Sequence, residues 1–178
     1  LGQTVGSTFS DKNVGAGKTV TVNSIALADG TNGGLALNYS ISSGQTTTAN
    51  ITTKALTVSG ITSSNKAYDA TTAATLGTGA VVYGGLVSGD TLTGTYSGVF
   101  DNANVGTGKT VTITSSYGGA DVNNYTITDQ ESTTADVTTK ALTATASTAN
   151  KVYDGTTSAT TTLTFTGLVG SETLNQSV

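Results

Sequence analysis

An internal repeat of about 85 residues constrains the fold of this chain more than any other feature of its sequence. Four segments recur in the same order: 9–20 with 100–111, 52–57 with 138–143, 66–72 with 151–157, and 85–92 with 167–174. Because the offsets drift only from 82 to 91, the copies differ in loop length rather than in fold. A repeat of this length is a small domain and not one coil of a solenoid.

The copies are not all complete, because the chain begins and ends at the same point of the repeat: Leu1 aligns with Leu92, and Leu92 aligns with Leu174. This phase predicts three domains, which we call the first, central and third copies: the C-terminal part of a truncated repeat over 1–53, one complete repeat over 54–139, and the N-terminal part of a further repeat over 140–178. We expect the chain to be a section of a longer tandem array. The alternative is that partial copies complete each other between neighbouring chains.

The composition favours strands in every copy. The chain has 40 Thr and 23 Gly, and charged residues make up only 10%. Thr and Val fit a pleated surface better than a helix, and Gly at this density interrupts helices and supplies turns. Disordered chains are poorer in β-branched residues and richer in charge. The fold class is therefore predicted to be all-β.

Short alternating segments predict where the strands lie. Apolar and polar residues alternate with period 2 over 18–22, 35–41, 56–58, 109–113 and 125–127. Turn residues stand between them, at 29–30, 32–34, 118–119 and 154–155 and in the Gly-x-Gly sequences at 15–17 and 106–108. Turns about every ten residues predict tandem sandwich-like repeat domains of about 85 residues in an elongated array, with a β-grasp-like unit as the second topology.

Missing residue types remove several classes of function. Without Cys, His, Met or Arg, the chain can form no disulfides, no Cys or His metal sites and no Ser–His nucleophile. A net charge of −4 disfavours binding to nucleic acid. No apolar run reaches the length of a membrane span, and the first residues do not resemble a signal peptide. We therefore expect no enzyme activity, no catalytic, cofactor-binding or metal-binding residues, no cofactor, no nucleic-acid partner and no membrane span.

The motif Lys-x-Tyr-Asp-Gly/Ala-Thr-Thr, at 66–72 and 151–157, is the most distinctive element. We expect its Asp to accept backbone N–H bonds across a turn and its Lys to pair with a nearby carboxylate. Tyr68 and Tyr153 should lay their rings on the core. The alternatives are an isopeptide crosslink between Lys and Asp, or an Asp that binds calcium.

The sequence Val-Gly-x-Gly-Lys-Thr, at 14–19 and 105–110, resembles a nucleotide-binding P-loop only in part. Lys12 and Ala103 stand where the first glycine of that motif is required, and an alternating strand follows instead of a helix. We interpret both segments as hairpin turns that lead into a strand.

Three surface hypotheses remain open. The oxygen-rich segments 101–104 and 121–124 suggest calcium binding at joints between copies, although they lack the glycine and distal Glu of an EF-hand loop. Threonines at 19 and 21, at 110, 112 and 114, and at 162, 164 and 166 predict solvated strand faces, or else a hydroxyl array for glycan or ice. Asn-x-Ser/Thr glycosylation sequences occur at Asn38, Asn50, Asn124 and Asn175.

The recurring motifs together resemble the YDG/MBG repeats of very large bacterial surface proteins, such as filamentous-haemagglutinin-like adhesins. The motifs are Lys-x-Tyr-Asp-Gly-Thr-Thr, Gly-Leu-Val-x-Gly-Asp-Thr-Leu, Asn-Val-Gly-x-Gly-Lys-Thr-Val and Thr-Thr-Lys-Ala-Leu-Thr. The resemblance covers essentially the whole chain and implies extracellular β-domains that act as a stalk, without catalytic residues. The chain departs from the family at Ala70, where Gly is preferred, and at Thr53 and Thr139, where Pro often precedes Lys-Ala-Leu and stiffens the joint.

The expected function is that of structural stalk or spacer repeats in a secreted bacterial surface adhesin or extracellular fibre, at the bacterial cell surface. The expected partners are neighbouring repeats of the same chain or identical chains, and host or matrix glycans contacted through other regions. One alternative is a subunit of a filament assembled head-to-tail by β-strand complementation between the truncated ends. Another is a glycan- or ice-binding module that acts through the Thr-rich strand faces.

Overall fold

The computed structural model describes residues 2–175, and these residues form strands and two 3₁₀ turns but no α-helix. The 3₁₀ turns are Ala36–Asn38 and Val122–Asn124. The strands are β1 (Gly2–Phe9), β2 (Gly15–Ala28), β3 (Thr46–Ile51), β4 (Lys54–Ser59), β5 (Thr62–Ser63), β6 (Lys66–Ala67), β7 (Ala73–Ala74), β8 (Leu76–Gly77), β9 (Val82–Gly84), β10 (Thr93–Phe100), β11 (Gly106–Gly118), β12 (Tyr125–Thr128), β13 (Ser132–Thr138), β14 (Thr143–Thr148) and β15 (Thr161–Thr166). The prediction of an all-β chain is confirmed.

The described residues divide into two compact units. Unit 1 contains the residues up to Ser59 together with Val82–Gly94 and Tyr117–Asp129. Unit 2 contains Gly60–Val81 and Thr95–Ser116 together with the residues from Gln130 onward. Each unit thus combines part of the central copy with an adjacent copy. The domain boundaries at 53/54 and 139/140 follow the sequence repeat and stay a prediction.

Unit 1 holds two three-stranded sheets. One is antiparallel with the order β1-β2-β3, and the other has the order β12-β4-β9, in which β12 runs parallel to β4. Leu56 and Val58 of β4 are buried, whereas Ala55 and Thr57, which alternate with them, are exposed. This period-2 pattern is the one that the sequence predicts for 56–58, and Tyr125 of β12 adds to the same buried set.

Unit 2 is built on a five-stranded sheet with the order β6-β13-β11-β10-β7, accompanied by the pairs β5-β8 and β14-β15. Its buried side chains come mainly from alternate positions of the long strands and are Ile61, Phe100, Val111, Ile113, Ala135 and Val137. Tyr68, Ala74 and Leu76 pack against the cluster around Phe100 and Val111. The long strands therefore supply the core, and the short strands cover it.

The Gly-x-Gly sequences form β-bulges and not the hairpin turns that the sequence suggests. The register of β2 against β3 shifts between Gly15 and Lys18, and that of β11 against β13 shifts between Gly106 and Lys109. The second glycine of each sequence has a positive φ, 61° and 59° respectively. A bulge places one extra residue in one strand, and glycine adopts the left-handed conformation at no steric cost. The hairpin connections are the residues before each bulge, 10–14 and 101–105.

The first and central copies share this local structure in detail. The pairs Gly15–Ile51 and Lys18–Ala49 recur as Gly106–Val137 and Lys109–Ala135. In each copy a side-chain oxygen also accepts the N–H of the second bulge glycine: Asn50 Oδ1 at 2.8 Å in the first copy and Asp136 Oδ1 at 2.7 Å in the central copy. The sequence repeat therefore specifies the same bulged strand pair twice.

The strand predicted over 35–41 is absent, although its residues alternate. A 3₁₀ turn occupies Ala36–Asn38, and the side chains of Tyr39 and Ile41 are exposed. The corresponding residues of the central copy do form a strand, β12, because they pair with β4. Among residues 2–175 no strand pairs with the segment 39–42, so no neighbouring strand completes its backbone hydrogen bonds there.

The expectation that Tyr153 lies on a core is also wrong. Its side chain is 93% exposed, whereas Tyr68, its counterpart, packs against the Phe100 cluster. The residues of that cluster come from β10, β11 and β13, and 140–178 contains no counterpart of these strands. Among the described residues, Tyr153 therefore has no cluster equivalent to that of Phe100 to pack against.

Candidate functional site

The polar side chains of unit 1 gather where the first copy meets the central copy. We call this place the first joint, and its residues are Lys12, Asn13 and Val14 from the first copy and Val87, Asp90, Asp121, Asn124 and Tyr125 from the central copy. The Lys12 ammonium lies 2.8 Å from Asp90 Oδ1 and 3.2 Å from Asp121 Oδ1. One cation thus links a hairpin loop of the first copy to two loops of the central copy.

Tyr125 fixes one of these carboxylates. Its ring is buried, and its hydroxyl donates to Asp90 Oδ2 at 2.7 Å while it accepts the N–H of Val87 at 3.0 Å. Asp90 therefore binds the first copy with one oxygen and the core of the central copy with the other. Strand β12 positions the tyrosine through its pairing with β4.

Asn124, at the end of the 3₁₀ turn before β12, holds the backbone of the first copy. Its Oδ1 accepts the N–H of Val14 at 2.9 Å, and its Nδ2 donates to Asn13 Oδ1 at 3.2 Å. Because a side-chain amide both accepts and donates here, it matches a loop that offers one group of each kind. Glycosylation of Asn124 would break these bonds.

Hydrogen bonds in the first joint stabilise the charged forms of its lysine and of its two carboxylates. Hydrogen bonds from Lys12 and then from Tyr125 hold the pKa of Asp90 below its usual value. The Thr91 N–H, followed by Lys12, lowers the pKa of Asp121. The same carboxylates raise the pKa of Lys12. All three groups are therefore charged at neutral pH, and the arrangement binds two segments together rather than moving a proton.

Unit 2 contains a second joint at the corresponding sequence positions. Glu172 stands where the first joint has Asp90, and the hydroxyl of Tyr68 donates to its carboxylate. Ala103 stands at the position of Lys12, so this joint has no equivalent ion pair. A largely apolar pocket of about 210 Å³ lies beside the tyrosine, lined mainly by Val105, Thr139, Lys140, Leu142, Val169 and Leu174.

The Lys-x-Tyr-Asp motif forms the ion-paired turn that the sequence predicts. Lys66 Nζ lies 2.7 Å from Asp69 Oδ1, which also accepts the Thr71 N–H at 2.9 Å. The Lys66 bond and then the Thr71 bond lower the pKa of Asp69 to about 2. The third copy repeats this geometry, with 3.0 Å between Lys151 and Asp154. Because the Asp69 side chain is half exposed and ionised, the turn does not favour the isopeptide hypothesis, which needs an uncharged pair in a dry site.

Lysine ammonium groups also occupy the oxygen-rich loops that suggest calcium binding. Lys109 Nζ lies 2.8 Å from Asp101 Oδ1 and donates to Asn102 Oδ1 at 2.7 Å. Lys18 makes the equivalent contacts in the first copy, with Asp11 and the Asn13 carbonyl. Over residues 2–175 no group of three or more acidic side chains could hold a metal ion. These loops therefore bind their own lysine.

The threonines of β11 are exposed, as the sequence predicts. Thr110 lies opposite Thr134 and Thr112 lies opposite Ser132 on the neighbouring strand β13, and all four side chains face solvent. The described helical segments are two 3₁₀ turns of three residues each, far too short to cross a bilayer. Of the glycosylation sequences, Asn38, Asn50 and Asn175 have exposed side chains, whereas that of Asn124 is half-buried.

Comparison with known protein families finds a likeness over most of the central copy. Residues 52–135 match the YDG domain. The match confirms the YDG part of the resemblance for this range, which carries the Lys66 turn and the central-copy side of the first joint. No curated protein and no solved structure matches the chain.

Sequence reasoning missed the first joint. Lys12 and Asp90 lie 78 positions apart, and Asp90 and Tyr125 lie 35 apart, so no local pattern connects them. A weak signal exists in the repeated Gly-Leu-Val segment, which carries an acid at the same position in both copies, Asp90 and Glu172. Lys12 has no such signal because its counterpart is Ala103.

Replacing Ala70 by Gly should stabilise the chain. Ala70 has a φ of 63°, whereas its counterpart in the third copy is a glycine, Gly155, with a φ of 72°. Relief of the left-handed strain outweighs the added chain entropy, for a net gain of about 0.5–1 kcal/mol in the free energy of unfolding. Urea denaturation measures the gain. The control Ala67→Gly, in β6, should lose about the same amount, and a loss in both variants would contradict the prediction.

The first joint should weaken in acid. Since the pKa values of Asp90 and Asp121 lie below those of the unfolded chain, their contribution to stability is complete above the unfolded value, about 3.9, and is lost as the pH falls through the folded values. Melting temperatures from pH 7 to 2 should therefore decrease less steeply for Lys12→Met than for the parent chain. Lys140→Met, which removes an exposed lysine outside the first joint, should follow the parent, and equal slopes for all three chains would refute this account.

Proposed function

We propose that this chain is a section of the stalk of a secreted bacterial surface protein, in which tandem sandwich-like repeats act as spacers. The observation that carries the proposal is the first joint, where Lys12 and Val14 of one copy are bonded to three side chains of the next. A spacer needs its successive domains held at a fixed angle, and bonds beside the covalent connection restrict bending. The YDG match over 52–135 supports the assignment of the central copy to one such repeat.

The connection between the copies is itself short. Strand β3 ends at Ile51 and β4 begins at Lys54, so two threonines separate the copies. The hydroxyl of one of them, Thr53, lies 2.6 Å from that of Thr126 in the central copy. A two-residue linker with a side-chain contact has little of the freedom of a flexible Gly/Ser linker.

The charge distribution supports a spacer rather than an enzyme. The net charge is −4, and five of the seven lysines form ion pairs with carboxylates: Lys12, Lys18, Lys66, Lys109 and Lys151. An acidic surface rich in hydroxyl groups keeps an extended protein soluble and away from a negatively charged cell surface. We therefore place the protein outside the cell, with neighbouring repeats as its main partners and with glycans contacted by other regions.

Proteins with one, two, three and four complete copies test the proposal. If the joints are stiff, the maximum dimension from small-angle scattering should grow by equal steps with each copy. A flexible chain of domains would instead lengthen with roughly the square root of the copy number, and that result would overturn the stalk. Joints that carry Ala at the positions of Lys12 and Asn124 should shift the series toward the flexible result.

A second candidate, a glycan- or ice-binding module, is favoured by the exposed hydroxyl groups of β11 and β13. Replacing Thr110, Thr112 and Thr114 together by Lys should abolish ice-recrystallisation inhibition or retention on a glycan array. The same change at Thr162, Thr164 and Thr166 of β15, which within residues 2–175 pairs with β14 alone, should have little effect. Activity that is absent in the parent chain, or unchanged in the first variant, would eliminate this candidate.

A further inference from the structure

Two parallel strand contacts join the beginning of the central copy to its end. The first clamp, as we call it, lies in unit 1, where β4 and β12 run in the same direction and pair from Lys54 opposite Tyr125 onward. The second clamp lies in unit 2, where β6 and β13 run in the same direction with Lys66 opposite Val137. Both clamps consist entirely of residues of the complete central copy.

Two amide side chains extend the second clamp beyond its strands. Gln130 Oε1 accepts the N–H of Ile61 at 2.9 Å, and Gln130 Nε2 donates to the carbonyl of Ile61 at 2.7 Å. Asn65 Oδ1 accepts the N–H of Asp136 at 2.7 Å, and Asn65 Nδ2 donates to the Asp136 carboxylate at 3.3 Å. Each amide therefore both accepts from and donates to one residue of the opposite segment, as the backbone of a neighbouring strand would.

Buried side chains keep water away from both clamps. Leu56 and Tyr125 are buried in the first clamp, and Ile61 and Val137 are buried in the second. A hydrogen bond that breaks in such surroundings leaves its donor and acceptor without water to replace the partner. Breaking it therefore costs more than breaking a bond at the surface.

The course of the chain decides how a pulling force acts on the clamps. Because β3 ends at Ile51 and β4 begins at Lys54, tension from the preceding copy reaches β4 at its N-terminal end. Tension from the residues that follow reaches β13 at its C-terminal end, Thr138, and passes along the chain to the C-terminal end of β12. In a parallel pair these two ends lie at opposite sides of the contact, so the force slides one strand along the other.

Sliding loads all the hydrogen bonds of a clamp at once, because each bond lies across the direction of the pull. Peeling the same strands apart from one end would load the bonds one after another, and each would break under a smaller force. The four residue pairs of the first clamp share the load in this way. So do the strand and amide bonds of the second clamp.

We propose that the two clamps make the central copy resist a force that pulls along the chain. The β10–β11 hairpin lies between the clamped segments in the sequence, so the clamps carry the tension before the hairpin does. The inference rests on the proposed function, since the stalk of a surface protein transmits the pull between the cell and the object that the protein contacts.

Pulling one chain in two directions tests the proposal, because it has no cysteine and thiol handles can be introduced at chosen points. Thr52→Cys with Thr139→Cys places the handles before β4 and after β13, so the clamps are loaded by sliding. Thr52→Cys with Asn123→Cys places them before β4 and before β12, at the same end of the first clamp, so that clamp is peeled. All three side chains are exposed.

Single-molecule force spectroscopy at one pulling speed compares the two geometries. The sliding geometry should unfold the central copy at a several-fold higher force than the peeling geometry, because the bonds of each clamp must break together. The length of chain released, about 3.5 Å per residue between the handles, identifies the event. Both chains contain the same folded copy, so a difference in force reports direction and not overall stability.

Variants of the second clamp identify the bonds that resist the force. Gln130→Ala removes both bonds to Ile61 and should raise the rate of unfolding in the sliding geometry about tenfold. Asn65→Ala removes the bonds to Asp136 and should raise the same rate, which keeps the test available if the Gln130 variant does not fold.

Lys109→Met is the matched control, since it removes an ion pair with Asp101 in the hairpin loop, outside both clamps. It should lower the free energy of unfolding in urea but leave the rate of unfolding under sliding load unchanged.

Equal unfolding forces in the two geometries would overturn the inference, as would equal effects of the clamp variants and Lys109→Met under load. Such a result is distinguishable from failure of the stalk itself. The scattering series measures how stiffly the copies are joined, and it can show equal steps whether or not each copy resists force.

Discussion

The parallel pairing of β12 with β4 is the interaction on which the other features of the first joint depend. It buries Tyr125, and the buried tyrosine holds Asp90, which in turn holds Lys12 of the preceding copy. Where the same residues have no β4 beside them, as around Tyr39, the side chains are exposed and the strand is absent. An alternating segment of this protein therefore forms a strand only where a neighbouring strand pairs with it. The alternation itself does not supply that neighbour.

Lysine serves this chain as an internal counterion. Lys18 and Lys109 neutralise equivalent loops with different acidic residues, Asp11 in one copy and Asp101 in the other. The two joints differ more. In the first joint the Lys12 ammonium binds the Asp90 carboxylate, and in the second joint the Tyr68 hydroxyl binds the Glu172 carboxylate. The repeat thus conserves an anionic position between copies and varies the donor that satisfies it. Neighbouring joints are chemically distinct even though their sequences correspond.

The sequence could predict what local periodicity determines. The alternation at 18–22, 56–58 and 109–113 lies in strands, since each segment has a partner within the chain. The same alternation at 35–41 does not give a strand, because the residues of a segment do not by themselves specify which strand pairs with it. Gly-x-Gly could not distinguish a turn from a bulge, because both require a glycine with positive φ. The first joint could not be predicted because its members meet only after the chain has folded.

The distances along the sequence between paired strands set an order of folding. The β1–β2 and β10–β11 hairpins join neighbouring segments, and contacts of this kind form early. The pairing of β12 with β4 must close a loop of about 70 residues, which is entropically slower. If the chain emerges progressively, starting with its N-terminal residues, β4 cannot pair with β12 until most of the central copy has emerged. Until then one edge of β4 is unpaired, and residues 39–42, the counterpart of β12 in the first copy, are a closely matched wrong partner.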